Sequence, residues 1–113
     1  ASDVYKRQST SEKDRNILDF GGIVMNNLKR VVTIDGEEVD FTFKEYELLK
    51  YLILNKEIVI SREKLLTYIW GYDYEGETRT VDMHIKLLRD KLKDKRNYIK
   101  TIRGVGYMLS TKD

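Results

Sequence analysis

Arg79, Lys86 and Lys93 stand at positions i, i+7 and i+14. On an α-helix, with about 3.6 residues per turn, that spacing puts the three cations along one line. Arg89 flanks the line. Val81, Ile85, Leu88 and Leu92 recur at steps of four, three and four and form an apolar stripe on nearly the opposite side. Met83 and Leu87 lie beside the basic row, outside the stripe. A helix over about Thr78 to Lys93 is roughly 22 Å long and narrow enough for the major groove of B-DNA. Its cations suit phosphates and guanine edges, and its spare apolar side chains suit thymine methyl groups. The other reading of Met83 and Leu87 is packing against a neighbouring helix or loop. Asp82, one turn before Lys86, is expected to pair with it and orient it.

The net charge of +2 conceals a strong segregation. Ile17 to Ile60 holds five basic and eight acidic residues, and Ser61 to Thr78 holds two and four. Arg79 to Arg103 holds nine basic residues against Asp82, Asp90 and Asp94. Positive charge gathered in a quarter of the chain points to a polyanionic partner, of which nucleic acid is the commonest. A solvated, lysine-bearing helix face is the plainer reading of the same charges.

Elements able to position that helix can be read on both sides of it. Residues 1 to 16 have no apolar periodicity and are expected to be a mobile linker or an expression remnant, with structure beginning near Ile17. From Ile17 to Phe41, short extended pieces are broken at Gly21-Gly22, Asn26-Asn27 and Asp35-Gly36, which predicts four short antiparallel strands. Asp35-Gly36 suits a type I′ turn, where both central residues need positive φ. At Thr42 the period changes from two to that of a helix. Thr42 and Glu45 fit a capping box, Phe41 and Tyr46 stand at the staple positions, and a first helix is predicted from Phe43 to Leu54, ending at Asn55. Ser61 opens a second helix, with Leu65, Leu66 and Ile69 inward and Gly71 as its stop. Neither Thr78 nor Thr80 has a glutamate three residues on, so the third helix has a poorly marked start. Tyr98 to Ile102, Arg103-Gly-Val-Gly106 and Tyr107 to Leu109 read as a β-hairpin. The expected order is strands, three helices, hairpin.

At this point the residues resemble a known family. Arg79-Thr-Val-Asp-Met-His-Ile85, followed by Leu88-Arg89 and Lys91-Leu92, looks like the recognition helix of OmpR/PhoB-type response regulators. Thr101-Ile-Arg-Gly-Val-Gly-Tyr107 looks like their wing. Thr42, Glu45 and Leu48-Leu49 resemble their first helix, and Ser61-Arg62, Leu65 and Trp70-Gly71 their second. The resemblance covers Ile17 to Leu109 and implies an α+β winged helix-turn-helix over residues 17–113, with an N-terminal four-stranded antiparallel sheet. It further implies the output domain of a two-component transcription regulator, acting in the cytoplasm. An N-terminal receiver, absent from this chain, would be phosphorylated by a sensor kinase. Two output domains, monomeric off DNA, would then occupy direct-repeat half-sites of double-stranded DNA. By position, Arg79, His84, Lys86 and Arg89 match residues that meet phosphate or bases, and Thr101 and Arg103 match wing contacts to the backbone and minor groove. Met83, Leu87 and Lys93 complete the candidate surface. Leu87 stands where several members carry a base-reading arginine, which leaves the half-site sequence open. His84, the one histidine, has two readings, a phosphate contact or packing. The loop after the second helix, Tyr72, Asp73, Tyr74 and Glu75 in particular, matches the family's contact with RNA polymerase; Trp70 reads better as a lid on the core.

Other chemistry finds little support. One histidine and no cysteine provide neither a nucleophile–base pair nor a convincing metal site, so no enzyme activity, metal or cofactor is expected. Gly104-Val-Gly106 lacks the third glycine and the following helix of a dinucleotide fingerprint. No apolar run approaches the roughly 18 residues of a membrane span. The alternative function is a winged helix that meets an acidic protein, and the basic row and wing arginine weigh against it.

Overall fold

The computed structural model describes residues 16–112, and the chain divides into two compact units, with the boundary in sequence between Asp40 and Phe41. In the first unit, strands β1 (Ile17–Phe20), β2 (Ile23–Asn26), β3 (Val31–Ile34) and β4 (Glu37–Val39) form an antiparallel meander in that order. Its register aligns Leu18 with Met25, Phe20 with Ile23, Met25 with Val32, and Val32 with Val39. Alternation therefore collects the apolar side chains on one face, where Phe20, Ile23, Met25 and Val32 are buried. Gly21-Gly22 and Asp35-Gly36 close two hairpins with positive φ at both central residues. Between β2 and β3 the Asn26 carboxamide oxygen accepts from the Leu28 and Lys29 amides at 3.0 and 3.1 Å. The linker expected over 1–16 falls outside the described residues except for Asn16, whose carbonyl accepts from the Asn27 amide at 2.7 Å.

The second unit holds α1 (Phe43–Leu54), β5 (Ile60–Ser61), α2 (Arg62–Trp70), α3 (Arg79–Leu92), a 3₁₀ turn (Lys93–Tyr98), β6 (Ile99–Ile102) and β7 (Gly106–Leu109). Together the three helices and the hairpin make the expected winged helix. Leu48, Leu49, Leu52 and Ile53 of α1, Leu65 of α2, and the α3 stripe of Val81, Ile85, Leu88 and Leu92 are buried. Each such leucine contributes on the order of 2–5 kcal/mol relative to alanine. Leu66 and Ile69, expected to face inward, are only half-buried.

Helix ends follow the local chemistry. The Thr42 hydroxyl accepts from the Glu45 amide, and Glu45 Oε1 accepts from the Thr42 amide at 2.9 Å, closing the capping box. Asn55 donates its side-chain amide to the Tyr51 carbonyl at 2.8 Å and ends α1. Ser61 caps α2 through the Lys64 amide, and Gly71, at φ +101°, stops it. No side chain caps α3 at Thr78, in keeping with its unmarked sequence.

Three features depart from the sequence expectations. The hairpin is one part of a three-stranded sheet, ordered β5-β7-β6, because Ile60 and Ser61 pair with Tyr107 and Gly106. A two-residue strand has too little pattern to read. Tyr98 belongs to the 3₁₀ turn and not to the strand. Lys93, at φ +53°, lies one residue past the end of α3.

Glu45 also has a second role that its cap position does not reveal. It is 2% exposed, and Oε1 accepts from Lys91 Nζ of α3 at 2.5 Å. Burial would raise this carboxyl's pKa, but the Lys91 ammonium and the Thr42 amide and hydroxyl outweigh it and hold the group below its ordinary 4.5. The folded chain thus binds this proton less readily than the unfolded one. Stability from the pair is fully present above the ordinary value and is lost as pH falls through the lower folded value. We expect Glu45→Gln to cost about 1–3 kcal/mol at neutral pH. In urea titrations the gap between wild type and variant should narrow as pH falls below about 4.5. A gap constant from pH 7 to pH 3 would refute the charge pairing.

Candidate nucleic-acid interface

Helix α3 presents two unlike faces. Its stripe is at most 1% exposed, whereas Met83 is 62% and Leu87 44% exposed. Met83 is thus mostly open to solvent and Leu87 partly so. Lys86 and Lys93 are exposed, with no hydrogen bond or ion pair for either ammonium among those residues. Arg79 Nε lies 3.4 Å from Glu77 Oε2, but both side chains are more than three-quarters exposed. Such a pair is weak and screened by salt, so Arg79 remains available to an incoming anion.

His84 is half-buried and turned to internal partners. Its Nδ1 lies 2.9 Å from the Thr80 carbonyl, which can only accept, so Nδ1 carries the proton. The ring meets Trp70 edge-on at 4.8 Å. Trp70 in turn sits near Tyr74 at 6.2 Å and under Lys44 Nζ at 5.6 Å, with Lys44 donating to the Ile69 carbonyl at 2.9 Å. The Tyr74 hydroxyl lies 3.2 Å from Thr80 Oγ1. Trp70 and Tyr74 thus fold towards the start of α3. Tyr72, at 93% exposure, projects to solvent with Asp73 and Glu75.

Asp82 does not pair with Lys86. Its Oδ2 accepts from Arg62 Nη1 of α2 at 2.9 Å, and its Oδ1 accepts from the Tyr107 hydroxyl of β7 at 2.5 Å. The two partners lie 20 and 25 residues away and occupy both carboxylate oxygens, in part-buried hydrogen bonds that a lysine one turn along does not make. Burial, reinforced by the hydrogen bond and charge of Asp82, pushes the Tyr107 phenol up to about 12. It stays a donor throughout the neutral range. Arg89 makes a second tie: Nη2 donates to the Ile99 carbonyl at 2.7 Å and to Thr101 Oγ1 at 2.8 Å, with the guanidinium 5.9 Å from the Tyr107 ring. Arg89 and Thr101, both read as outward contacts, therefore hold each other first.

At the hairpin tip the Val105 amide donates to the Ile102 carbonyl at 2.9 Å, and Gly104 supplies the positive φ of +75°. Arg103 projects from this turn, exposed, and its side chain makes no hydrogen bond or ion pair among the described residues. A Cβ at Gly106 would lie 2.0 Å from the Ile60 carbonyl oxygen, so the glycine admits β5 to the sheet.

Residues 36–109 match the family described as "Transcriptional regulatory protein, C terminal". The chain belongs to this family. It is the C-terminal domain of an OmpR/PhoB-type response regulator, a transcriptional regulatory domain and not an enzyme. It is 45% identical over 108 residues to the response regulator ArlR of Staphylococcus haemolyticus, covering 94% of this chain and 48% of that protein. The chain spans about half the length of the ArlR relatives it matches. Its structure is similar to that of the Thermotoga maritima OmpR/PhoB homologue DrrB, with a TM-score of 0.76, 37% identity, and coverage of 84% of this chain and 44% of that one. It is also similar to the Klebsiella pneumoniae RstA DNA-binding domain, solved in complex with the RstA box. That match has a TM-score of 0.75 and 31% identity over 83% of this chain and 96% of the other.

On this OmpR/PhoB-type scaffold the candidate residues divide. Arg79, Met83, Lys86 and Leu87 share the outer face of α3, and Arg103 stands free at the wing tip. His84, Arg89 and Thr101 make hydrogen bonds within the domain, His84 and Arg89 half-buried and Thr101 exposed. Sequence reading missed Arg62 and Tyr107, whose only signal was an aspartate that a long-range partner could claim. Among the described residues there is no group able to hold a metal ion, and no helix is long and apolar enough to cross a membrane. The reassignment of Asp82 can be measured. Asp82→Ala should destabilise the domain by about 1–3 kcal/mol, since it strands a guanidinium and a phenol. Lys86→Ala should stay within about 0.5 kcal/mol in the same denaturant series. Equal costs would restore the Asp82–Lys86 pair.

Proposed function

We propose that this domain binds double-stranded DNA sequence-specifically as the output half of a two-component transcription regulator in the cytoplasm. The observation that carries the reading is the outer face of α3, where cations without structural commitments stand beside exposed Met83 and Leu87. An exposed apolar pair amid cations costs solvation in the free protein and gains contact against thymine methyl groups in the major groove. Arg103 lies at the end of the hairpin, where it reaches the adjacent minor groove. The narrow grooves of A·T-rich flanks offer it the strongest negative potential. The RstA domain complexed with its box supports this use of the fold.

The remaining assignments follow from the family. A receiver precedes the domain, a sensor kinase phosphorylates that receiver, and two output domains, monomeric off DNA, occupy direct-repeat half-sites. The loop of Tyr72, Asp73, Tyr74 and Glu75 is offered to RNA polymerase. Tyr72 suits that role best, because it is 93% exposed.

Selection of random duplexes on the isolated domain, followed by anisotropy titrations at two salt concentrations, tests the reading. Arg103→Ala should weaken binding to the selected site by about 1–3 kcal/mol if it reads a base edge. If it meets phosphate only, the loss should be uniform over sequences and the salt slope should fall by about one. Leu87→Arg should shift half-site preference towards guanine while leaving the melting temperature nearly intact, since the side chain is 44% exposed. Failure to enrich any duplex would overturn the function. Unchanged affinity and salt dependence in Arg103→Ala would remove the wing from the interface.

A further inference from the structure

Val105 is fixed by its backbone on both sides. Its amide donates to the Ile102 carbonyl at 2.9 Å, closing the turn over Arg103 and Gly104, and its own carbonyl accepts from the Arg62 amide at 3.3 Å. The first bond ties it to the last residue of β6 and the second to the first residue of α2. Arg62 is bound in turn through its guanidinium to Asp82 of α3, so the tip is braced against two helices. A β-branched side chain has few χ1 choices, and a valine on such a backbone has little freedom of direction. Yet the isopropyl group is 47% exposed, and among the described residues of the hairpin it is the one large apolar side chain left open to solvent. Turns ordinarily favour glycine, asparagine, aspartate or serine. Arg103, two residues earlier, is exposed and makes no hydrogen bond or ion pair among the described residues. One three-residue loop therefore offers both an unpaired cation and a bare hydrocarbon.

We propose that Val105 is a specificity-determining residue, which rejects G·C pairs beneath the wing by leaving the guanine N2 amino group without an acceptor. The assignment rests on the DNA-binding reading, with the wing at the minor groove. A·T pairs show only acceptors on the floor of that groove, adenine N3 and thymine O2, whereas a G·C pair adds a donor, the N2 amino group. The Arg103 guanidinium can only donate, so it gives that amino group nothing. A hydrocarbon laid over the amino group strips its water and returns no hydrogen bond, a loss of roughly tenfold in affinity. Over an A·T pair the same hydrocarbon strands no donor. Preference for A·T flanks then has two separable sources, the field that draws Arg103 and the exclusion enforced by Val105.

Val105→Thr tests this, because threonine keeps the branched shape and replaces one methyl with a hydroxyl that accepts from an amino group. The site is exposed, so the melting temperature should not change. Anisotropy would be read for wild type and variant on the selected duplex, with each flanking A·T pair changed in turn to G·C or to inosine·cytosine, which lacks the amino group. Wild type should bind about tenfold more weakly when one or two of these pairs become G·C, and should recover on inosine. Val105→Thr should match wild type on the A·T duplex and lose no more than about threefold on G·C. With its shape kept and Arg103 intact, the variant meets the same groove width, so the relief reports the amino group. A G·C penalty as large in Val105→Thr as in wild type would overturn the assignment and leave DNA binding standing, with Arg103 as the source of the preference. So would a wild-type penalty that persists on inosine, or no penalty at any flanking pair. Should wild type bind no duplex, the DNA-binding reading fails and this assignment with it.

Discussion

The carboxylate of Asp82 is the point through which three elements agree on their positions. One oxygen accepts from Arg62 at the start of α2 and the other from Tyr107 in the middle of the wing sheet, while the residue itself belongs to the first turn of α3. An acid in that turn is also favoured by the positive end of the helix dipole. Without it, the guanidinium and the phenol would face each other with no acceptor between them. Arg89 repeats the arrangement two turns later, where α3 holds β6 through Ile99 and Thr101. The hairpin is therefore fastened to the helix at two heights.

Glu45 and Lys91 do the corresponding work on the other side of α3. The carboxylate that closes the first helix's capping box also receives a lysine from the third, so a local device and a long-range one share a single oxygen. Charges of α3 thus fall into separate groups. Asp82, Arg89 and Lys91 are engaged within the domain, while Lys86, like Lys93 just past the helix, has no such partner among the described residues, and Arg79 has only an exposed one. The formal surplus of positive charge overstates the number of cations ready for a partner on the outer face.

Much of this architecture was legible from local pattern. The α1 boundaries followed from the capping box and the change of period, and the meander followed from paired turn residues between short apolar runs. The α3 stripe was readable because its spacing alone distinguishes Leu88, which is buried, from Leu87, which is exposed. What escaped was non-local. A two-residue strand has no periodicity, so β5 could be known only from its pairing with β7. Asp82 was assigned to Lys86 because sequence displays neighbours one turn away and hides those 20 residues distant. Arg89 and Thr101 looked like independent outward contacts for the same reason.

Ser61 is at once the last residue of β5, paired with Gly106, and the cap of α2. One backbone unit therefore belongs to both the wing sheet and the helix-turn-helix, and neither can tilt without disturbing the other. Such a joint makes the hairpin and α3 a gauge of fixed span rather than two independent probes. Under the DNA-binding reading, the spacing between neighbouring grooves falls to the duplex to meet, because this joint ties the wing sheet to the helix-turn-helix. Sequences that narrow or twist at low elastic cost would then be preferred even at base pairs that no side chain touches.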